Sequence, residues 1–194
     1  GQIPKHVGII LDGNRRFAKK LMKEPWKGHE YGAEKVENLL DWCKEIGIKE
    51  LTLYAFSMQN FNRPKLELNY LMSVFKEVFE KARTDSRIHE NKININFIGR
   101  IHLFPKEVYN TMKSIMEKTK HHKNFVLNFA MAYGGREEVV DAVMKLSKDV
   151  KAGKVDVDKI NEEIFENYLY SPDEPDLVIR TGGDRRTSNF LIWQ

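Results

Sequence analysis

HVGIILDGNRRFAKK, residues His6 to Lys20, carries the reading of the fold. The apolar run Val7 to Leu11 has the length of a buried strand, and Asp12-Gly13-Asn14 is turn chemistry. Arg15 and Arg16 then open a helix-like stretch. Such a turn gathers a carboxylate, a glycine, an amide and two guanidiniums. It suits phosphate, because a helix N-terminus adds N–H donors and partial positive charge. The carboxylate also suits a divalent cation that phosphate would share. Asp-Gly-Asn is equally an ordinary turn that caps a helix, so the stretch alone leaves both readings open.

The same alternation continues along the chain. Ala33 to Ile46 has helical spacing in Val36, Leu39, Leu40, Cys43 and Ile46, with Gly47 as a C-terminal cap. Before it, His29 stands in a loop or first turn, where a lone histidine is more often a hydrogen-bonded structural residue. Leu51 to Phe56 reads as a second strand, followed by the polar loop Ser57 to Pro64. Glu67 to Arg83 places Leu68, Leu71, Met72, Phe75, Phe79 and Ala82 on one helical face, more often plain core than the lining of an apolar ligand site. Asn94 to Gly99 is a third strand, and Pro105 starts a helix with Val108, Met112, Ile115 and Met116 inward. His121-His122 lies in a basic connector and is expected to be solvated. Phe125 to Tyr133 is a fourth strand, and Gly134-Gly135-Arg136 opens a helix carrying Val139, Val140, Val143, Met144 and Val150. Asp156 to Tyr170 reads as a short helix and Asp176 to Ile179 as a last buried strand.

Alternating strands and helices without hairpin signals predict an α/β fold, a single-domain parallel sheet flanked by helices. At 194 residues the chain is long enough for a sizeable core. Its 41% hydrophobic and 31% charged residues are those of a soluble globular protein, and a net charge of +4 carries no charge blocks of a nucleic-acid tail. Cys43 is the one cysteine, which excludes an internal disulfide and a cysteine-rich metal site. No apolar run approaches the roughly 18 residues of a spanning helix and no signal peptide is visible, so the expected compartment is the cytoplasm.

Each strand candidate is followed within a few residues by arginine: Arg15 and Arg16, Arg63, Arg100, Arg136, then Arg180. Open parallel sheets bind ligands outside the carboxyl ends of their strands, so several arginines should converge there on a polyanion with more than one phosphate. Arg100 and Arg136 are the ones expected to be structural. The sequence holds no P-loop, no dinucleotide-binding glycine motif, no nucleophile elbow, no His-Glu-x-x-His zinc motif and no Asp-Asp-x-x-Asp box.

HVGIILDGNRRFAKK, LTLYAFSMQNFNRP and DLVIRTGGDRRTSNFLIWQ together closely resemble the cis-prenyltransferases, the undecaprenyl and dehydrodolichyl diphosphate synthase family, over essentially the whole chain and in the same order. Arg15, where many bacterial members have glycine, resembles the archaeal and eukaryotic branches. The resemblance implies a parallel α/β sheet with an apolar product tunnel, usually dimeric, as a homodimer. The implied activity is condensation of isopentenyl diphosphate with an allylic diphosphate, farnesyl or geranylgeranyl, into a long-chain polyprenyl diphosphate. By the same resemblance Asp12 is catalytic and holds Mg²⁺, while Asn60 orients, since an amide is a poor base. Gly13, Asn14, Arg15, Arg16, Phe17 and His29 surround the allylic diphosphate. Ser57, Met58, Gln59, Phe61 and Arg63 belong to a loop that closes over the substrates, and Arg180, Arg186, Thr187 and Ser188 bind isopentenyl diphosphate. Peripheral membrane contact through the lipid product is implied as well.

Three positions depart from the family pattern. Asp184 stands where glutamate is usual, Pro25 where bacterial members have an arginine, and the sequence stops at Gln194. Family members continue there through a segment with a further Mg²⁺-binding glutamate and dimer contacts, so this tail is expected to be missing or not included. The alternative reading is a non-catalytic subunit of a cis-prenyltransferase complex. Such subunits lose the aspartate and the Asn-x-Asn-Arg loop, which Asp12, Asn60 and Arg63 retain. An RNA-binding module is disfavoured, for want of an aromatic platform and a dense basic patch.

Overall fold

The computed structural model describes residues 1–10, 38–171, 173–180, 186 and 188–194. Apolar runs bounded by turn residues form five strands: β1 His6–Ile10, β2 Glu50–Ser57, β3 Ile93–Ile98, β4 Phe125–Tyr133 and β5 Leu177–Arg180. They make one sheet in the order β3-β4-β2-β1-β5, with every pairing parallel. The helices are α1 Lys65–Arg83, α2 Ser86–Glu90, α3 Lys106–Thr119, α4 Gly135–Lys151 and α5 Glu162–Glu166, besides the helical residues 38–46. Pro64 and Pro105 stand at the N-caps of α1 and α3, where a missing N–H costs nothing. Gly47, at φ +92°, ends the helical residues before β2 and donates to the Cys43 carbonyl.

The two faces of the sheet differ. One carries the larger core, in which Val7, Ile9, Leu51, Leu53, Ile95 and Leu127 meet Phe79 of α1 and Val108, Met112 and Ile115 of α3. Phe79 packs edge-on to Phe97 at 4.8 Å between ring centroids, so it belongs to the core itself. Leu68, Leu71, Met72 and Phe75 are only half-buried against the same cluster.

The other face is polar over its amino-terminal half. His6 Nε2 lies 2.7 Å from Thr52 Oγ1, and Asn128 Nδ2 donates to Thr52 Oγ1 (3.0 Å) and to Glu50 Oε2 (2.7 Å). Asn96 extends the ladder by donating to Asn128 Oδ1 at 2.9 Å. The carboxyl-terminal half is apolar and aromatic, with Ile10, Tyr54, Ala130, Tyr133, Phe190 and Leu191 forming a smaller core.

Four expectations are corrected. Residues 58–62 form a capped 3-10 turn in place of an open loop, because Ser57 and Asn60 satisfy each other's backbone groups. Asp156 to Tyr170 is divided, since the Asp156 carboxylate caps a 3-10 turn at Val157–Lys159 and the Asn161 side chain caps α5 afresh. β5 is not a buried strand: Leu177 and Val178 are 45% and 43% exposed, because the strand lies at the sheet edge. His122 is not merely solvated, since its Nδ1 lies 2.8 Å from the Ile93 carbonyl and its Nε2 3.3 Å from His89 Nδ1.

Candidate active site at the carboxyl edge of the sheet

Parallel pairing puts all five strand ends on one edge, and the register aligns Tyr54, Ile10 and Arg180 in one row across β2, β1 and β5. Residues in one row of a parallel sheet share a face, so the Tyr54 and Arg180 side chains rise on the same side. The register shifts beyond Tyr54 in the β2–β4 pairing, where Phe56 pairs with Met131 and Ser57 with Tyr133. Such irregularities re-aim side chains at strand ends. Of the residues expected at the site, Asp12, Gly13, Asn14, Arg15, Arg16, Phe17, His29 and Thr187 lie outside the described residues.

Next along β2 comes the Ser57–Asn60 turn. Asn60 N–H donates to Ser57 Oγ at 3.2 Å and Ser57 N–H donates to Asn60 Oδ1 at 2.9 Å, a reciprocal cap. Phe61 packs edge-on to Phe56 at 4.9 Å, and Met58 also joins the larger core, while Gln59 is exposed. Arg63 Nη1 reaches Glu67 Oε1 at 2.6 Å, one helical turn on. The turn is thus anchored by its apolar residues and presents its polar ones along the sheet edge.

Across β1, Arg180 Nη1 donates to Ser188 Oγ at 2.5 Å and to the Arg186 carbonyl at 2.8 Å. Three of the residues expected to bind isopentenyl diphosphate therefore stand together. The arm that bears them is seated on α4. Gly135 N–H donates to the Asn189 carbonyl (2.6 Å), Arg136 N–H donates to Asn189 Oδ1 (2.9 Å), and Asn189 Nδ2 donates to Glu137 Oε2 (3.0 Å). This close approach explains the glycine at the start of α4: a Cβ on Gly135 would stand 2.9 Å from the Asn189 carbonyl oxygen and 2.9 Å from Ile192 Cγ1.

Of the arginines after the strands, Arg100 turns away to α4, bonding Asp141 through Nε and Nη2 at 3.0 Å each. Arg136 is exposed at the first turn of α4, where its backbone N–H is capped by Asn189. Arg63 and Arg180 remain at the edge that β1 and β2 share.

Sequence reasoning missed Tyr54, Asn189 and Glu138. Tyr54 Oη lies 3.1 Å from the Ser188 carbonyl and 3.3 Å from that of Tyr133. Burial pushes its hydroxyl up to about 12, helped by Glu137 and opposed by a hydrogen bond from Ser57. Tyr54 is therefore a neutral donor at any ordinary pH. Glu138 is buried, and burial holds its carboxyl above the usual carboxylate range, against donation from Tyr133, Gln194 and the Ser171 N–H. The signal available for Tyr54 was a phenol inside an apolar run, whose hydroxyl must find a partner once buried.

The edge offers guanidinium, hydroxyl, amide and backbone donors, and the described residues there hold no reactive nucleophile. That donor set suits binding of a polyanion. Among the described residues no three His, Cys, Asp or Glu side chains are grouped to hold a metal. The carboxylate expected to do so, Asp12, follows β1 by two residues and is a hard oxygen donor, which suits Mg²⁺.

Residues 10–194 match the family model for undecaprenyl diphosphate synthase. A tritrans,polycis-undecaprenyl-diphosphate synthase (geranylgeranyl-diphosphate specific) of Pyrococcus horikoshii is 50% identical over 196 residues, covering 100% of this chain and 74% of that protein. Its namesake in Methanopyrus kandleri is 48% identical, covering 100% and 72%. Among solved structures, lavandulyl diphosphate synthase from Lavandula x intermedia in complex with dimethylallyl diphosphate superposes with a TM-score of 0.86 at 33% identity, over 99% of this chain and 83% of that one. A probable undecaprenyl diphosphate synthase from Campylobacter jejuni gives 0.79 at 28% identity, over 100% and 82%.

Proposed function

Because this chain belongs to the undecaprenyl diphosphate synthase family, we propose that it extends an allylic diphosphate with isopentenyl diphosphate units, forming a cis double bond at each step. It is an enzyme, a prenyl transferase, and not a non-catalytic subunit. The observation that carries the site assignment is the convergence of Arg180, Ser188 and Arg186 at the carboxyl edge, beside the Ser57–Asn60 turn.

In this reading Arg180, Arg186, Thr187 and Ser188 bind the diphosphate of the isopentenyl unit. Gly13, Asn14, Arg15, Arg16, Phe17 and His29 receive the allylic diphosphate after β1. Breaking the allylic C–O bond leaves negative charge on the departing diphosphate, and fixed donors stabilise it without reorganising. Mg²⁺ held by Asp12 would supply further charge stabilisation there. Ser57, Met58, Gln59, Asn60, Phe61 and Arg63 close over the reacting pair. Asn60 Oδ1 already accepts from Ser57 N–H, which leaves its NH₂ to orient a substrate oxygen and supports an orienting role. The released diphosphate is then the base at hand for the proton lost from the isopentenyl unit.

The half-buried Leu68, Leu71, Met72 and Phe75 of α1 support an apolar tunnel for the growing chain. The exposed Val140, Val143 and Met144 of α4 support a homodimer. The names of the archaeal relatives support geranylgeranyl diphosphate as the primer, over farnesyl diphosphate. The whole chain acts as one cis-prenyltransferase domain. Among the described residues no helix is long and apolar enough to cross a membrane. Peripheral membrane contact through the lipid product belongs to the same reading.

The test is incorporation of labelled isopentenyl diphosphate into chloroform-soluble product with each primer in turn, followed by chromatographic sizing. Long-chain product, made fastest from geranylgeranyl diphosphate, is expected. No incorporation with either primer at saturating Mg²⁺ overturns the reading.

A further inference from the structure

We propose that Tyr54 is a positioning residue for the arm carrying Arg186 and Ser188, whose backbone it holds through one buried hydroxyl. The inference rests on the reading of Arg180, Arg186 and Ser188 as the isopentenyl-diphosphate site.

Two hydrogen bonds link Tyr54 to Arg180 through Ser188. Tyr54 Oη donates to the Ser188 carbonyl at 3.1 Å, and Ser188 Oγ accepts from Arg180 Nη1 at 2.5 Å. The path begins at Tyr54 on β2 and ends at the guanidinium of β5, crossing the row that Tyr54, Ile10 and Arg180 share.

The arm needs such support. Ser188, Asn189 and Leu191 all have positive φ, at 50°, 63° and 47°, which side chains beyond Cβ rarely adopt. A run of this kind persists only when its surroundings over-determine it. Asn189 is fixed by α4, and Leu191 N–H donates to Tyr133 Oη at 3.2 Å. The Ser188 peptide is fixed by Tyr54, whose ring also stacks on Phe190 at 4.9 Å. At 6% exposure Tyr54 is shielded from water, so no solvent molecule replaces its hydroxyl at no cost when it is removed. Tyr54 itself touches no reacting atom; it acts through the Ser188 backbone.

Tyr54→Phe removes the hydroxyl and keeps the ring on Phe190. In the full chain, KM for isopentenyl diphosphate should rise about five- to tenfold, the scale of one neutral hydrogen bond, while KM for the allylic primer changes less than twofold. Because KM does not depend on the fraction of active protein, this holds even where the variant is less stable. In an Arg186→Ala, Ser188→Ala background, where the arm no longer offers either side chain to substrate, the same substitution should have little further effect. Arg186→Ala serves as the control and should raise the isopentenyl KM by itself. If Arg186→Ala leaves that KM unchanged, the site reading fails. If Arg186→Ala raises it but Tyr54→Phe does not, the positioning role fails. An equal rise for both substrates, or full additivity in the Arg186→Ala, Ser188→Ala background, also overturns it, since a merely structural tyrosine behaves so.

Discussion

Arg100 and Asp141 face each other in a bidentate pair, with Nε–Oδ2 and Nη2–Oδ1 both at 3.0 Å. The contact joins the end of β3 to the middle of α4, and the Tyr170 hydroxyl donates to the same carboxylate. Burial works against ionisation of Asp141, yet the bonds from Arg100 and Tyr170 hold its carboxyl below the usual range. This arginine serves the fold, although it follows a strand as the others do.

Arg100→Ala should therefore lower stability by about 1–3 kcal/mol, the range for partly buried charge-assisted hydrogen bonds. Both KM values should stay within twofold of the parent. Chemical denaturation with a double-mutant cycle to Asp141→Ala checks this, and additive losses would contradict the pairing.

For Asp12 the proposed metal role predicts a rate effect without loss of the fold. Asp12→Ala should keep the circular dichroism spectrum and much of the substrate affinity, while turnover falls by about two orders of magnitude or more. Steady-state rates across a Mg²⁺ series decide it; activity within a few-fold of the parent removes the assignment.

The polar ladder beneath β1 and β2 predicts a pH dependence of stability. Burial pushes the Glu50 carboxyl up to about 7, against the Asn128 hydrogen bond and with Asp173 nearby. Its folded value lies above the unfolded one, about 4.5, so the folded chain keeps a proton that the unfolded chain has released. The stability this contributes is present below about 4.5 and lost as pH rises towards 7. His6 has the opposite sense, because burial lowers its pKa, against Glu174, Asp173 and Asp176. Its contribution is present above about 6.5 and lost as pH falls below that value. Thermal midpoints of the parent and Glu50→Gln should therefore converge or cross in the parent's disfavour between pH 4.5 and 7. Parallel curves would show that Glu50 does not titrate in this window.

Gly135 offers a prediction at the seat of the arm. A methyl group there meets the Asn189 carbonyl oxygen and Ile192 Cγ1, at 2.9 Å each. Gly135→Ala should raise the isopentenyl KM more than the primer KM, because the displaced Asn189 carries Ser188 with it. Stability should fall by about 1–3 kcal/mol, the cost of overpacking. A lower melting temperature with both KM values unchanged would mean that the glycine matters to packing alone.

Much of the scaffold was legible from pattern. Five apolar runs separated by helical spacing and turn residues became five parallel strands, and Pro105 and Gly47 took their expected end positions. The arginine that follows the last strand pointed to Arg180, and the family resemblance added Arg186 and Ser188; the three stand together. Pattern did not reveal which apolar face of α4 is inward. Ala142 and Leu146 are buried while Val140, Val143 and Met144 are exposed, because the helix is seated by Glu138 and Asn189 and not by its greasiest stripe.

The sequence by itself determined the α/β class, the succession of elements and the kind of ligand, since local periodicity and residue chemistry act over a few residues. Tertiary structure alone decided the sheet order, the separation of Arg100 from Arg180, and the partners of Tyr54 and Asn189. Tyr54 meets Ser188 across 134 positions and Asn189 caps α4 across 53. Contacts of that span leave no trace in local spacing, because a buried hydroxyl or an open helix end only requires some partner. Which partner satisfies it is settled when strands pair and the chain closes on itself.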